Sequence, residues 1–301
     1  MTSIGFVGLG NMGLPMVANL LKAGYRVHAY DVRREAVEAA VGQGALAAES
    51  AAEATSRAEA VVTMVPNSPE VEAAYLGPKG VLDGARSGQI AIDMSTIDPA
   101  TTRKVGARLE AAGVRMLDAP VSGGVPGAVA GTLTIMVGGD PAVVAQARAL
   151  LGVMGKNVVH VGPLGAGEVA KICNNLVAGV SMIAAAEAFT IGIRAGVDPK
   201  ILHDVIRASS GNCWAIEHNC PVAGLVPKAA SNRDFAAGFM TDLMAKDLSL
   251  ARAAARDLGV PCFTGALAHD LYMLASRHGL GRKDFSAVIQ LLNASEAGGP
   301  G

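Results

Sequence analysis

A lysine and an asparagine stand four residues apart in Gly165-Ala-Gly-Glu-Val-Ala-Lys171-Ile-Cys-Asn-Asn175, inside a long apolar run. On a helix, that spacing puts both side chains on one face. Lys171 is the only lysine or arginine between Lys156 and Arg194. An ammonium stripped of water there has its pKa lowered, which suits a general acid–base near neutrality; Asn175 can orient either the lysine or a substrate hydroxyl. A second segment, Asp118-Ala-Pro-Val-Ser122-Gly123-Gly124, closes an apolar strand. Its hydroxyl and its glycine N–H groups suit a carboxylate, because glycine lets the backbone approach closely. A third, Leu243-Met-Ala-Lys246-Asp247-Leu, places a charged pair in an otherwise apolar helix. The sole tryptophan, Trp214, follows Ser209-Ser-Gly-Asn-Cys and either walls a pocket or fills the core.

These groups need a scaffold, and its first element is the most legible. Ile4 to Met16 reads as a strand entering a glycine-rich turn and then a helix, with Gly8, Gly10 and Gly13 at G-x-G-x-x-G spacing. The first glycine permits the tight turn, the second admits a pyrophosphate and the third lets helix and strand pack closely. The N–H groups at the helix start face the phosphates, and the helix dipole favours their charge. A second strand, Tyr25–Tyr30, ends in Asp31, roughly 20 residues on, where a carboxylate holds a ribose diol and repels a 2′-phosphate. Arg33 and Arg34 follow, at the start of the next helix, and are expected to point to solvent. NAD is therefore the expected cofactor.

Strands at Ala60–Pro66, Gln89–Met94, Arg115–Ala119, Leu133–Val137 and Val158–Val161 alternate with helices at Arg33–Gly42, Pro99–Ala112 and Ala142–Leu150. That alternation predicts an α/β, Rossmann-type doubly wound sheet over residues 1–163. From Gly165 strand signals vanish. Helices are expected at Glu168–Ala195, Pro199–Ala208, Met240–Leu258, Ala266–His278 and Asp284–Leu292, giving an all-α C-terminal domain over 164–295 for substrate and oligomerisation. Residues 296–301, rich in glycine and proline, read as a disordered tail. At 301 residues, 51% hydrophobic and net charge −1, the composition suits a large core and argues against a nucleic-acid partner. The four cysteines form no metal-binding spacing and read as reduced thiols, so no metal is expected. The start lacks a basic leader, and the run Leu176–Ala186 stops at Glu187, short of the ~18 residues of a membrane span. A cytoplasmic protein without a membrane partner is the expectation. Leu176, Val177, Val180, Ile183 and Phe189 occupy several faces of the long helix, which predicts a homodimer or homotetramer joined through the helical half.

Together these segments resemble the β-hydroxyacid dehydrogenase family, and within it the 3-hydroxyisobutyrate branch. The likeness rests on Gly-Leu-Gly-Asn11-Met12-Gly-Leu-Pro-Met, Asp93-Met-Ser-Thr96-Ile-Asp-Pro, Asp-Ala-Pro-Val-Ser-Gly-Gly, the Lys171–Asn175 segment, Met-Ala-Lys246-Asp247-Leu and Lys283-Asp-Phe-Ser-Ala-Val. The resemblance implies NAD-dependent oxidation of 3-hydroxyisobutyrate to methylmalonate semialdehyde, a step of valine degradation. L-Serine and D-glycerate are the alternative substrates, and a catalytically silent NAD-binding protein is the alternative of another class. It further implies Lys171 and Asn175 as catalytic residues. Gly8, Gly10, Asn11, Met12, Gly13, Asp31, Val65, Pro66, Thr96 and Lys246 would line the cofactor site. Ser122, Gly123, Gly124, Trp214 and Asp247 are assigned to the substrate. One departure stands out: the branch carries a tyrosine–asparagine–proline run after the tryptophan, whereas this chain reads Asn219-Cys220-Pro221.

Overall fold

The computed structural model describes residues 1–293, so the expected tail lies outside the described residues. Two compact units form, Met1–Lys171 and a second that begins at Ile172.

The first unit is built on parallel strands that carry near-continuous apolar runs, as strands covered on both faces require. They are β1 (Ser3–Val7), β2 (Arg26–Tyr30), β3 (Leu46–Ala47), β4 (Ala60–Thr63), β5 (Ile90–Asp93) and β6 (Arg115–Asp118). The far edge is formed by β7 (Val121–Ser122), β8 (Thr134–Gly138) and β9 (Asn157–Gly162). The order is β3-β2-β1-β4-β5-β6-β8-β7, with β9 on β8. It reverses between β1 and β4, the switch point outside which ligands bind in such sheets. One core packs around Phe6, Met16, Leu20, Ile92 and Leu117, another around Tyr75, Val105 and Leu109, so both faces are covered.

Three differences from the expected elements matter. The far edge is mixed: β8 runs antiparallel to β6 and β7 and parallel to β9. Strand β4 stops at Thr63, leaving Val65 and Pro66 in the turn after it. The segment after Ser122, expected as a loop, enters a short helix, Gly124–Ala130, that Gly131 ends in the left-handed region at φ 65°. Glycine is the residue that reaches such backbone angles without steric cost.

The second unit is helical. Its elements include Pro199–Arg207, Trp214–Glu217, Thr241–Asp257 and Phe263–Ala275. The expected helix Ala266–His278 ends early in a π turn over Ser276–Leu280, where Gly279 has φ 82°. The expected helix Asp284–Leu292 begins as a 3-10 turn, Phe285–Val288, because the Asp284 carboxylate takes the Ser286 N–H. Met182, Phe189, Met244, Leu248, Tyr272 and Phe285 form the core.

The long helix spans Ala166–Arg194 and passes from the first unit into the second. It is long and apolar enough, by length and composition, to cross a membrane. That corrects the run-length reading, which stopped at Glu187 although a helix tolerates an isolated charge. A long core helix passes the same test. Phe189 is fully buried on it, yet Val177 and Ile191 are about two-thirds exposed, at 67% and 69%.

Candidate active site

At the switch point, β1 runs into the glycine turn. Gly8 adopts φ 97°, and a Cβ there would collide with the Met64 carbonyl. A Cβ on Gly13 would strike the Gly8 carbonyl, so helix and strand approach as only glycine allows. At Gly10 a Cβ would meet open space, the room a pyrophosphate needs. Asn11 is exposed and Met12 half-buried beside it. Helices Pro99–Ala111, Pro141–Met154 and Pro199–Arg207 are each capped by an aspartate ahead of a proline. Helix Gly13–Lys22 has no side-chain cap and no acid in its first turn. The Leu14 N–H is taken by the Gly10 carbonyl; with no acid in the first turn, the positive dipole end of this helix suits an anion, and the turn fits a dinucleotide.

Asp31 lies beside this turn. Its Oδ2 accepts the Leu9 N–H at 2.7 Å, and its Oδ1 accepts the Arg33 N–H at 2.9 Å. Arg33 and Arg34 are both exposed, as expected; Arg34 pairs with Glu38, and Arg33 keeps a solvent-facing side chain that also reaches Asp31. Its Nε folds back onto Asp31 Oδ1 at 3.2 Å, because the carboxylate offers the nearest charge partner. A guanidinium therefore sits at the position where a ribose would be read.

The turns after β4 and β5 are fastened together from below. Asp93 ends β5 fully buried, and its Oδ1 accepts the hydroxyls of Thr63 at 2.7 Å and Ser95 at 2.6 Å. Ser95 Oγ in turn accepts the Val65 N–H at 3.0 Å. Burial pushes the Asp93 carboxyl up from its ordinary range, the hydroxyls of Ser95 and Thr63 pull it back, and the neighbouring charge of Asp118 adds to the rise. The expected cofactor-lining residues Val65, Pro66 and Thr96 thus sit on a connected frame. Its centre, Asp93, had a visible signal in the sequence: a carboxylate ending the apolar strand Ile-Ala-Ile.

Asp118 ends the adjacent strand β6, opposite Asp93 in register. It too is fully buried. Its Oδ1 accepts the Gly165 N–H at 2.8 Å and its Oδ2 the Glu168 N–H at 2.9 Å. Glu168 Oε2 accepts the Ile97 N–H at 3.1 Å. Lys171 follows one turn later and is buried, 6% exposed. On the other side of Asp118 the chain passes through β7 to Ser122, Gly123 and Gly124. Both glycines have positive φ, 133° and 59°, backbone conformations that glycine reaches without steric cost and that keep side chains away from their N–H groups.

The remaining residues lie in the second unit. Asn175 is buried; its Nδ2 donates to Asp247 Oδ2, and its Oδ1 accepts from Asn174 Nδ2 at 2.9 Å. Asp247 Oδ1 pairs with Lys246 Nζ at 2.9 Å. The third segment is therefore brought to Asn175, from 72 residues away, and Asp247 sits beneath the asparagine with 2% of its surface exposed. Trp214 does not fill the core. It is 54% exposed and stacks on Phe285 at 6.3 Å. Asn219, at the position where the branch carries tyrosine, is buried and turns inward, donating to Asp284 Oδ1 at 2.9 Å. Asp284 also takes the Ser286 hydroxyl and the N–H groups of Gly238 and Phe239.

A glycine turn at the switch point, an uncapped helix start and a buried lysine define a nucleotide-dependent dehydrogenase. Comparison with known proteins narrows the class. The family described as the NAD binding domain of 6-phosphogluconate dehydrogenase matches residues 3–162. That described as NAD-binding of NADP-dependent 3-hydroxyisobutyrate dehydrogenase matches residues 165–292. A 3-hydroxyisobutyrate dehydrogenase of Pseudomonas aeruginosa is 46% identical over 98% of this chain and 100% of its own length. An NAD-dependent L-serine dehydrogenase of the same species is 45% identical over 98% and 99%. A solved Mycobacterium tuberculosis 3-hydroxyisobutyrate dehydrogenase described with L-serine is 45% identical, with a TM-score of 0.92 over 97% of this chain and 99% of that one. The chain belongs to the 3-hydroxyisobutyrate dehydrogenase family of β-hydroxyacid dehydrogenases. It is an NAD-binding oxidoreductase of the CH–OH group.

Proposed function

We propose that this chain oxidises 3-hydroxyisobutyrate to its semialdehyde with NAD, Lys171 acting as the general base. The observation that carries this reading is Lys171 itself, a buried amine on a helix whose start is fixed to the sheet. Bound NAD supplies the hydride acceptor; the protein contributes placement and a proton acceptor. Gly8, Gly10, Asn11, Met12 and Gly13 hold the pyrophosphate, and Asp31 faces the ribose. Thr96 and the Val65–Pro66 turn would help position the nicotinamide, and Lys246 is assigned to the cofactor as well. Ser122 Oγ and the N–H groups of Gly123 and Gly124 take the substrate carboxylate. Lys171 Nζ takes the hydroxyl proton as the C–H bond breaks. Asn175 spends one amide hydrogen on Asp247, and the second is available to the substrate oxygen. Asp247 acts as the support of Asn175, and Trp214 offers an exposed apolar wall.

L-Serine is the second reading, favoured by the relative of that activity and by the solved homologue described with it. A panel of 3-hydroxyisobutyrate, L-serine, D-glycerate and their uncharged alcohol analogues, scored by formation of reduced nicotinamide, tests the proposal. A 3-hydroxy acid should lead. A best substrate without a carboxylate would overturn the role of Ser122–Gly124.

The helical unit is also proposed to join copies of the chain into a dimer or tetramer. Val177, Ile191, Phe263 and Leu267 leave apolar surface open on it, and a second copy is the cover that would bury them. Light scattering at micromolar concentration should give a multiple of the chain mass; the mass of one chain would contradict this.

A further inference from the structure

Among the described residues, Asp118 is the buried carboxylate whose two oxygens both accept from the chain that leads into Lys171. We propose that Asp118 is a positioning residue for catalysis: its carboxylate clamps the start of the long helix to the end of β6 and so fixes where Lys171 meets the substrate hydroxyl. This rests on the reading of Lys171 as the base and deepens it.

The geometry is specific. Glu168 lies three positions after Gly165, and their N–H groups reach different oxygens of the same carboxylate, at 2.8 and 2.9 Å. Two of the free donors of a helix start are thereby satisfied by a side chain from another element. The helix start carries a positive partial charge, so an ionised carboxylate holds it more firmly than a neutral group. The fit leaves little slack. A Cβ on Gly167 would lie 2.8 Å from Asp118 Oδ2 and would also strike the Met136 carbonyl. A Cβ on Gly138 would strike Asp118 Oδ1 and lie 2.8 Å from the Gly167 nitrogen. Glycine at both places lets the carboxylate slot between β8 and the helix. The Glu168 side chain adds a second tie, to the Ile97 N–H on the turn after β5. Lys171 comes three residues after Glu168, and Ser122 four residues after Asp118. One carboxylate thus sets the helix that brings the base and begins the segment that is to hold the substrate anion. Misplacing a reacting group by about 1 Å costs up to about 10²-fold in rate.

The test is a double-mutant cycle of Asp118→Asn with Lys171→Ala, with turnover measured per folded molecule. Asp118→Asn keeps the shape but sets an amide donor against a backbone N–H. Alone it should lower kcat at least about tenfold, leave the dissociation constant for NAD within about twofold and raise the deuterium isotope effect on kcat. In the K171A background it should change nothing further, because there is no base left to misplace. A merely structural aspartate predicts the opposite. It would cause the same proportional loss in both backgrounds and leave the isotope effect unchanged, and that result overturns the proposal. Should D118N fail to fold, Gly167→Ala takes its place in the cycle, since it retains the carboxylate and displaces the helix start; the expected and overturning results are the same. If K171A alone retained full turnover, the reading of the base would fall, whatever D118N did.

Discussion

The two compact units build their polar sites by different means. In the first, function is written into the backbone: glycines at φ 97°, 133° and 59° shape the turns, and carboxylates at strand ends, Asp93 and Asp118, tie those turns down. In the second, the polar groups are side chains, on helices at Asn175 and Asp247 and on loops at Asn219 and Asp284, held by partners far away in sequence. Asn175 meets Asp247 across 72 residues, and Asn219 meets Asp284 across 65. The first arrangement leaves a local signature that a reader of the chain can find. The second depends on which helices pack together, so it leaves almost none.

The comparison predicts that the second unit is the more fragile to loss of a single polar group. Asp284→Ala strips the partner from Asn219 Nδ2, the Ser286 hydroxyl and the N–H groups of Gly238, Phe239 and Ser286. Each buried donor left unpaired costs about 1–3 kcal/mol. The expected loss is therefore at least about 3 kcal/mol, read from the shift of the urea midpoint; a loss below about 1 kcal/mol would show that water replaces the carboxylate there. Asp247→Asn is expected to act on rate. It sets two amides face to face, lets Asn175 turn and should lower kcat by roughly 10- to 100-fold with little change in NAD affinity. A rise in the Michaelis constant alone would return Asp247 to direct substrate contact. The smallest effect is expected in the first unit. Asp31→Ala releases Arg33 and removes the carboxylate that repels a 2′-phosphate. The preference for NAD over NADP should shift by about tenfold, or about 1.4 kcal/mol. An unchanged ratio would show that Asp31 serves only to hold the Leu9 turn.

Much of the first unit was legible because its requirements are local. Gly8, Gly10, Gly13 and Asp31 lie within one strand–turn–helix–strand, and the apolar runs of β4 and β5 could belong to little but covered strands. The antiparallel edge was not legible, since β8 carries the same apolar run whichever way it points. Lys171 and Asn175 stand out as candidates by their spacing, and Asp247 by its oddity in an apolar helix. The link between Asn175 and Asp247 could not be read, because no periodicity relates them. Arg33 is exposed as its place at a helix start implies, but its ion pair with Asp31, two residues away, could not be read from composition alone. Asp118 stood out as a carboxylate closing a strand, but its partners lie 47 and 50 residues away. Only the packed helix start gives it a task.

The role of Lys171 is tested by a single turnover of Lys171→Ala with NAD and 3-hydroxyisobutyrate both saturating, followed through the absorbance of the reduced nicotinamide. Hydride transfer should slow by about 10²-fold or more while NAD binds as in the unaltered protein. Transfer at a near-normal rate would contradict that role.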